Sequence, residues 1–431
     1  MKNSKHYTWT VRLSGARLTL TDPDGRAEEV TLQSDNSVNL LANPVQRDLT
    51  VFATALYVAD TLVSRMGRDQ ETSCSLTLPL SDGAHLLHAL EESGLSQQID
   101  LVTGKRWTYS FTAGLVQGSL DIDHAVSTAT GVLASGGLDG FVGLHTVARA
   151  VPKEVVRALH IQTNSSSLDH VKCLMRREIS ALRVLTCRKV GSGTPHRTSK
   201  YARTRPIVFI IMGCAALLPA ERIRVVVAEN QVGAFNYDYL AGQPRKDRST
   251  GLRPSVTAAV ARFLCLVTER PVKVDNPFLF TCKSEMLKRL TAAEVLGSYD
   301  TISCHRSNRN SPHPHSGLCS SCLLRRQSYL AAGLQDRTLY TDAYTQEDRR
   351  RQRAYFKNAR TIVRAFDNAA PLRAALIKLH PTVLTDEIWP LTDDPVQREG
   401  YVREYASNLQ RHAQEALALE RRLSRASAAA H

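Results

Sequence analysis

An apolar run, Gly131-Val132-Leu133-Ala134, stops at Ser135-Gly136-Gly137-Leu138-Asp139-Gly140 and resumes as Phe141-Val142-Gly143-Leu144. That order reads as a buried strand, a glycine turn and an amphipathic helix. No other stretch of the chain limits the fold so tightly. Such a turn points backbone N–H groups and a positive helix end at one place, which suits a phosphate. Adjacent glycines allow positive φ and close approach of a ligand to the backbone. The Gly-x-x-x-x-Gly-Lys-Ser/Thr pattern is absent, so this is not a Walker loop. On these residues alone the plainer reading is an ordinary βα turn.

A chain of 431 residues with 43% hydrophobic side chains should form two or three domains. Residues 1–125 read as a small α/β unit. Tyr7–Leu13, Ala16–Leu20, Ser75–Leu80 and Arg106–Phe111 alternate as strands, Asp22-Pro23-Asp24-Gly25 is a turn, and Asn43-Pro44 opens a helix. No catalytic constellation stands out there. Residues 126–340 alternate strands and helices, as a parallel sheet requires. Gly131–Ala134 and Ile223–Ala228 are its strand candidates, Val155–Ile161 a weaker one, and Ile207–Leu218 a buried helix. Ser135 and Glu229 each directly follow a strand, so they should meet at one rim of the sheet. Residues 341–431 read as a charged helical extension; its stripe of Ala413, Leu417 and Leu419 marks a packing helix.

Charge is uneven. Residues 1–150 hold 11 Lys and Arg against 16 Asp and Glu, residues 151–340 hold 29 against 13, and residues 341–431 hold 15 against 12. The basic centre suits a nucleoside triphosphate, an RNA or an acidic protein, or is simply a solvated face. The longest apolar run, Pro206 to Ala220, is 15 residues, below the roughly 20 of a membrane helix. With no signal peptide in view, the expected setting is cytoplasmic. Nine cysteines there are more plausibly thiols or metal ligands than disulfides.

Cys319-Ser-Ser-Cys322 is a two-residue knuckle, which lets two thiolates converge on one tetrahedral ion. Cys304 supplies a third sulfur, and His315 or His313 a fourth ligand. A Cys₃His zinc site follows, with a redox pair or free thiols as the bland alternative.

Several motifs fall in one order: Ser135-Gly-Gly-Leu-Asp139; Arg203-Thr-Arg205; Glu229-Asn230-Gln231; Asn276-Pro-Phe278; Lys283-Ser-Glu285; Ser303-Cys304; and Cys319-x-x-Cys322-Leu-Leu-Arg325-Arg326. This order, over roughly residues 126–340, resembles the 7-cyano-7-deazaguanine synthase (QueC) family of PP-loop ATP pyrophosphatases. The extra N-terminal unit and helical tail are similar to QueC-like proteins of bacterial anti-phage defence, the QatC component of Qat systems first and the type IV CBASS relative second. The resemblance implies a Rossmann-like α/β fold with a parallel sheet, a small N-terminal α/β domain, a zinc-bound loop and a C-terminal helical tail.

It also implies ATP, Mg²⁺ and Zn²⁺. A 7-deazaguanine carboxylate would be adenylated, with pyrophosphate released, and transferred to ammonia or to the N-terminal amine of a partner protein. Ser135, Gly136, Gly137, Leu138, Asp139, Gly140, Arg203 and Arg205 would hold the nucleotide. Asp139, Lys283 and Glu229 would serve catalysis, and Glu229, Asn230, Asn276 and Glu285 the substrate. Cys304, His315, Cys319 and Cys322 would hold zinc. A defence-operon protein is the expected partner, a homodimer stays open, and neither membrane nor nucleic acid is expected.

The chain departs from the family at three places. Gly140 stands where the loop ends in serine, a loss of one charged hydrogen bond worth roughly 1.5–3 kcal/mol, or about ten- to a hundredfold in rate. Ser316 stands where a fourth cysteine would lie, and Arg253 replaces the histidine of a Thr-His-Pro motif. These changes keep two other readings in view: a weakened nucleotide-binding scaffold, and, on the basic centre, a tRNA-modifying PP-loop enzyme.

Overall fold

The computed structural model describes residues 5–34, 40–41, 43–63, 72–114, 127–151, 155–162, 182–190, 202–236, 250–304, 314–341, 344–367 and 371–429. His313 and most of the Gly191–Arg205 loop lie outside them. In chain order the elements are β1 (Lys5–Ser14), β2 (Arg17–Thr21), β3 (Ala27–Ser34), α1 (Pro44–Val63), β4 (Thr72–Leu80), α2 (Gly83–Glu92), α3 (Leu95–Thr103) and β5 (Arg106–Ala113). Then come β6 (Thr128–Leu133), α4 (Leu138–Ala150), β7 (Val155–Gln162), β8 (Leu182–Val190), α5 (Arg205–Ala215), β9 (Arg222–Val226), α6 (Gln231–Phe235), α7 (Pro254–Thr268) and β10 (Val272–Asp275). The last are α8 (Lys283–Leu287), α9 (Ala292–Ser298), α10 (Ser320–Ala331), α11 (Gln346–Asp367), α12 (Leu372–Leu379) and α13 (Pro395–Ala429).

The chain forms two compact units. The first takes residues 1–135, 151–227 and 256–275, and the second residues 136–150, 228–255 and 276–431. The first unit contains one ten-stranded sheet in the order β10-β9-β6-β7-β8-β3-β2-β1-β4-β5. Strands β10 through β8 are mutually parallel, as the strand–helix alternation predicts. The strands before residue 125 continue the same sheet, and β3 pairs antiparallel with β8. The sheet is therefore mixed, an α/β architecture compatible with a Rossmann-like fold. Its antiparallel middle has a local cause. Two tight turns, at residues 15–16 and at Asp22–Arg26, leave β1, β2 and β3 no room for a parallel crossover.

Helix α1 is buried nearly all round, with Leu49, Phe52, Leu56 and Ala59 at 0% exposure. Its buried Asp60 is answered by Lys105 Nζ at 2.9 Å and by the backbone and hydroxyl of Thr204. Among the described residues no helix is long and apolar enough to cross a membrane; the apolar run from Pro206 forms α5, where Ile207, Val208, Ile210, Ile211 and Met212 are buried.

β6 and β9 are parallel neighbours, so their carboxyl ends leave the same edge of the sheet. By chain they lead directly to Ser135-Gly136 and to Ala228-Glu229, where the second unit begins. The described part of that unit is helical. Phe235, Leu323, Phe356, Leu376, Val402, Leu409 and Ala413 knit α10, α11, α12 and α13 together. Leu138, Val142, Ala228, Phe278, Met286, Leu287 and Tyr329 hold α4 against the 276–287 segment.

Candidate functional site

Gly136 turns the chain into α4 with φ +80°, a left-handed conformation that a β-carbon would oppose. Its carbonyl accepts a hydrogen bond from Ile302 N–H at 2.9 Å, and Leu138 N–H donates to Ser303 Oγ at 3.4 Å. One turn further, a methyl group on Gly143 would overlap the β-carbon of Ala228. The helix comes that close to the Ala228-Glu229 segment because this position has no side chain. Asp139 is thus set in the first turn of α4, at its positive end.

Asp139 Oδ2 meets Lys283 Nζ at 2.7 Å, with side-chain exposures of 14% and 4%. Asp139 Oδ1 is buried, and the Asp139 carboxylate lies within hydrogen-bond reach of the Glu229 carboxyl. Glu229 completes the group. Burial and then the Asp139 carboxylate drive its carboxyl well above the usual carboxylate range, against the pull of Lys283. This favours its protonated form over the carboxylate. Asn230 Nδ2 donates to Glu229 Oε1 at 2.8 Å while Asn230 Oδ1 caps α6 through Gly233 N–H at 3.2 Å. Asn276 brackets the Glu229 peptide from the other side. Its Nδ2 donates to Glu229 O at 2.9 Å, and its Oδ1 accepts from Glu229 N–H and Phe278 N–H.

The second unit thus brings Asp139, Glu229, Asn230, Asn276 and Lys283 together. Asn230 and Asn276 use their amides on the protein itself, as positioning groups. Glu285 accepts from Cys282 N–H at 3.0 Å, closing a capping box on α8, and pairs with Arg411. Arg203 and Arg205 belong to the first unit. Arg203 Nη1 donates to the Thr103 carbonyl at 2.6 Å, and Arg205 lies over the Phe209 ring at 4.9 Å. Ser135, which ends the opening segment of the first unit, is exposed. Arg253, at the altered Thr-His-Pro position, donates to the Phe235 carbonyl at 3.0 Å.

The cysteine cluster is buried. The sulfurs of Cys304, Cys319 and Cys322 lie within 4.8 Å of one another, and Cys304 and Cys319 are 3.7 Å apart. Hydrogen bonds from Cys304 and Cys322 pull the Cys319 thiol well below its usual range, while the same contacts and burial push Cys322 well above it. His315 Nδ1 is 4.0 Å from Cys322 Sγ, just outside the sulfur trio, and Ser316 Oγ is 3.5 Å from Cys304 Sγ and 3.9 Å from Cys322 Sγ. Burial and the Arg325 charge push His315 down to about 4, and the Thr301 carbonyl fixes its ring. Its free lone pair suits a metal. Three thiols and this imidazole are a donor set that could hold zinc.

Two contributors, Ser303 and Arg325, stand in the motif order of the sequence without a role assigned to them there. Arg325 is fully buried and has no carboxylate partner among the described residues. It donates to Thr338 Oγ1 and Thr301 Oγ1 at 2.7 Å each, to Ser298 O at 2.9 Å and to Ser303 Oγ at 3.4 Å. Arg325 and Ser303 thereby tie the metal-ligand loop to the start of α4. The only signal was the Leu-Leu-Arg-Arg that follows the knuckle, and nothing local marks that arginine as buried.

No protein-family model matches the chain. It is 31% identical over 144 residues to the 7-cyano-7-deazaguanine synthases of Coxiella burnetii strains Dugway 5J108-111, RSA 331 / Henzerling II and RSA 493 / Nine Mile phase I. The match covers 32% of this chain and 56% of each relative, so the chain spans about half the length of the curated proteins it matches. This likeness supports a distant 7-cyano-7-deazaguanine synthase-like ancestry.

Proposed function

We propose that the chain is an ATP-dependent enzyme of the 7-cyano-7-deazaguanine synthase type. It activates a 7-deazaguanine carboxylate as its adenylate and passes the acyl group to an amine. The observation that carries this reading is the buried Lys283–Asp139 pair beside Glu229 at the head of α4; the similarity to the C. burnetii synthases agrees with it. The triphosphate would lie over the Ser135–Gly140 turn, where N–H groups and the helix end face its anionic oxygens. A carboxylate oxygen of the acid bonds to the α-phosphorus as the α–β phosphoanhydride bond breaks. Pyrophosphate departs with the electron pair, and Lys283 offsets the growing charge. The amine then attacks the carbonyl, loses a proton to solvent and releases AMP.

Asp139, a largely buried carboxylate in the first turn of α4, would offer an oxygen to Mg²⁺, which would neutralise phosphate charge there. Glu229 would face the ring edge of the heteroaromatic acid. Arg203 and Arg205 enter this reading as supplementary phosphate grips. Cys304, Cys319 and Cys322, with His315 or Ser316 as fourth donor, hold structural zinc. The expected setting is a cytoplasmic anti-phage system of the Qat kind, with a partner protein supplying the amine. The test is α-labelled ATP with 7-carboxy-7-deazaguanine and ammonium or a partner protein. AMP should form with wild type and not with Lys283→Met. No AMP with either acceptor refutes the reading.

Gly140 favours a second reading, a nucleotide-binding scaffold with little turnover. Gly140→Ser separates the two: a rate gain of ten- to a hundredfold supports a weakened enzyme, and continued inactivity with intact nucleotide binding supports a scaffold.

A further inference from the structure

Within the second unit, a cavity of about 820 Å³ opens between residues 276–281, α8 and α13. Its size falls in the range of small-molecule sites. Asp139, Glu229 and Lys283 do not line it. Three guanidiniums do: Arg289, Arg403 and Arg411. Arg411 is compensated by Glu285. Among the described residues neither Arg289 nor Arg403 has a carboxylate partner; Arg289 lies over the Phe278 ring at 4.9 Å, and Arg403 Nε reaches only the Glu399 carbonyl of its own helix at 3.3 Å. The apolar part of the wall is Pro277, Leu279 and Phe280, whose ring stacks on Tyr401 at 5.1 Å.

The cavity is a built feature. Three residues around the start of α8 are tied in turn to one face of α13: Cys282 Sγ donates to Asn408 O at 3.3 Å, Glu285 pairs with Arg411, and Ser284 donates to Glu415. Positions 408, 411 and 415 are three and four residues apart, one stripe of a helix. Asn408 also donates to the Phe280 carbonyl, which fixes the aromatic wall. A flat apolar surface beside two solvent-exposed guanidiniums without ion-pair partners among the described residues, with Glu404 the one further acid in the wall, selects an aromatic body carrying an oxyanion, because guanidinium pairs with carboxylate or phosphate through paired N–H donors.

We propose that this cavity is a binding site for an aryl carboxylate or aryl phosphate, with Arg289 and Arg403 on the oxyanion and Phe280 against the ring. It is separate from the Asp139–Lys283 centre. Asn276 links the two, since it lines the cavity and brackets the Glu229 peptide. The site therefore suits a second substrate or an effector.

The test is calorimetric titration of the full chain with benzoate, phenyl phosphate and inorganic phosphate. At least one aryl anion should saturate at millimolar concentration or below, and inorganic phosphate should bind more weakly. Which aryl anion binds tighter tells carboxylate from phosphate. Arg289→Ala with Arg403→Ala should weaken binding at least tenfold. Ser407→Trp, which fills the cavity from α13, should do the same with both arginines intact. Lys283→Met should leave the affinity within about twofold, and it separates this proposal from the proposed reaction, which that variant abolishes. The proposal is overturned if neither aryl anion saturates, if the arginine and tryptophan variants bind like wild type, or if Lys283→Met removes binding as fully as they do.

Discussion

Replacing Lys283 with methionine keeps the length of the side chain and removes its charge. The pair it breaks is short, 2.7 Å, and nearly sealed, with 4% of Lys283 and 14% of Asp139 exposed. An exposed pair would matter little, about 0–1 kcal/mol. Removing one partner of a buried pair instead costs about 3–5 kcal/mol, because the other charge stays behind uncompensated. Here the remaining carboxylate would keep only its hydrogen bond with Glu229, a group whose own acidity is suppressed by burial and by Asp139 and which brings no positive charge. Lys283→Met should therefore cost about 3–5 kcal/mol of unfolding free energy, measured by urea titration followed by circular dichroism. Adding Asp139→Asn removes the stranded charge. The double variant should recover most of that loss, since replacing both partners of a buried pair is often near neutral. A single-variant cost below about 1 kcal/mol, or a double variant at the sum of the two singles, would refute the claim that this pair is a buried and mutually dependent unit.

Glu229 gives the pH dependence. Its folded carboxyl binds a proton more tightly than the unfolded one, so its contribution to stability is greatest below about pH 4.3 and is lost as pH rises through the folded value. Glu229→Gln should flatten the fall of melting temperature with rising pH and stabilise the chain at the alkaline end; parallel melting curves across pH would contradict this. Metal analysis of the purified chain should give about one zinc, and Cys319→Ser should abolish it together with several degrees of melting temperature; wild-type zinc in that variant would remove Cys319 from the ligand set. Gly143→Val should cost about 1–3 kcal/mol, an overpacking penalty against Ala228, whereas an unchanged denaturation midpoint would show that α4 can retreat from that segment.

Local chemistry wrote much of the sheet. Alternation at Tyr7–Leu13 and Ser75–Leu80, the Asp22–Gly25 turn and the proline after Asn43 foretold β1, β4, the hairpin and α1 to within a few residues. The same signals gave β6, the glycine turn and α4. The joining of β3 to β8 was not legible, because it pairs Ser34 with Leu185 across some 150 residues and neither strand carries a mark of its partner. Nor was the division into two units, in which α4 leaves the sheet that its own strand belongs to.

The site divides along the same line. Asp139, Glu229 and Lys283 could be named because each sits at the edge of a strand or turn whose residue order carried a family resemblance. What each does depends on distance. Asn276 and Asn230 have the polar groups of base readers, yet the fold turns those groups onto Glu229 and its peptide. Glu285 looks like a substrate contact and is a helix cap paired with Arg411 from α13. The α13 stripe itself read as packing, through Ala413, Leu417 and Leu419, and that face does pack: Ala413 and Leu419 are buried in the helical core. The residues that grip α8 lie on the same helix at Asn408, Arg411 and Glu415, polar side chains that a solvated face would equally display. Only the tertiary pairing distinguishes the two uses. A helix that reads as an appendage in sequence therefore holds the segment that carries Lys283, and loosening it should disturb the charge pair at the head of α4 before it disturbs the sheet.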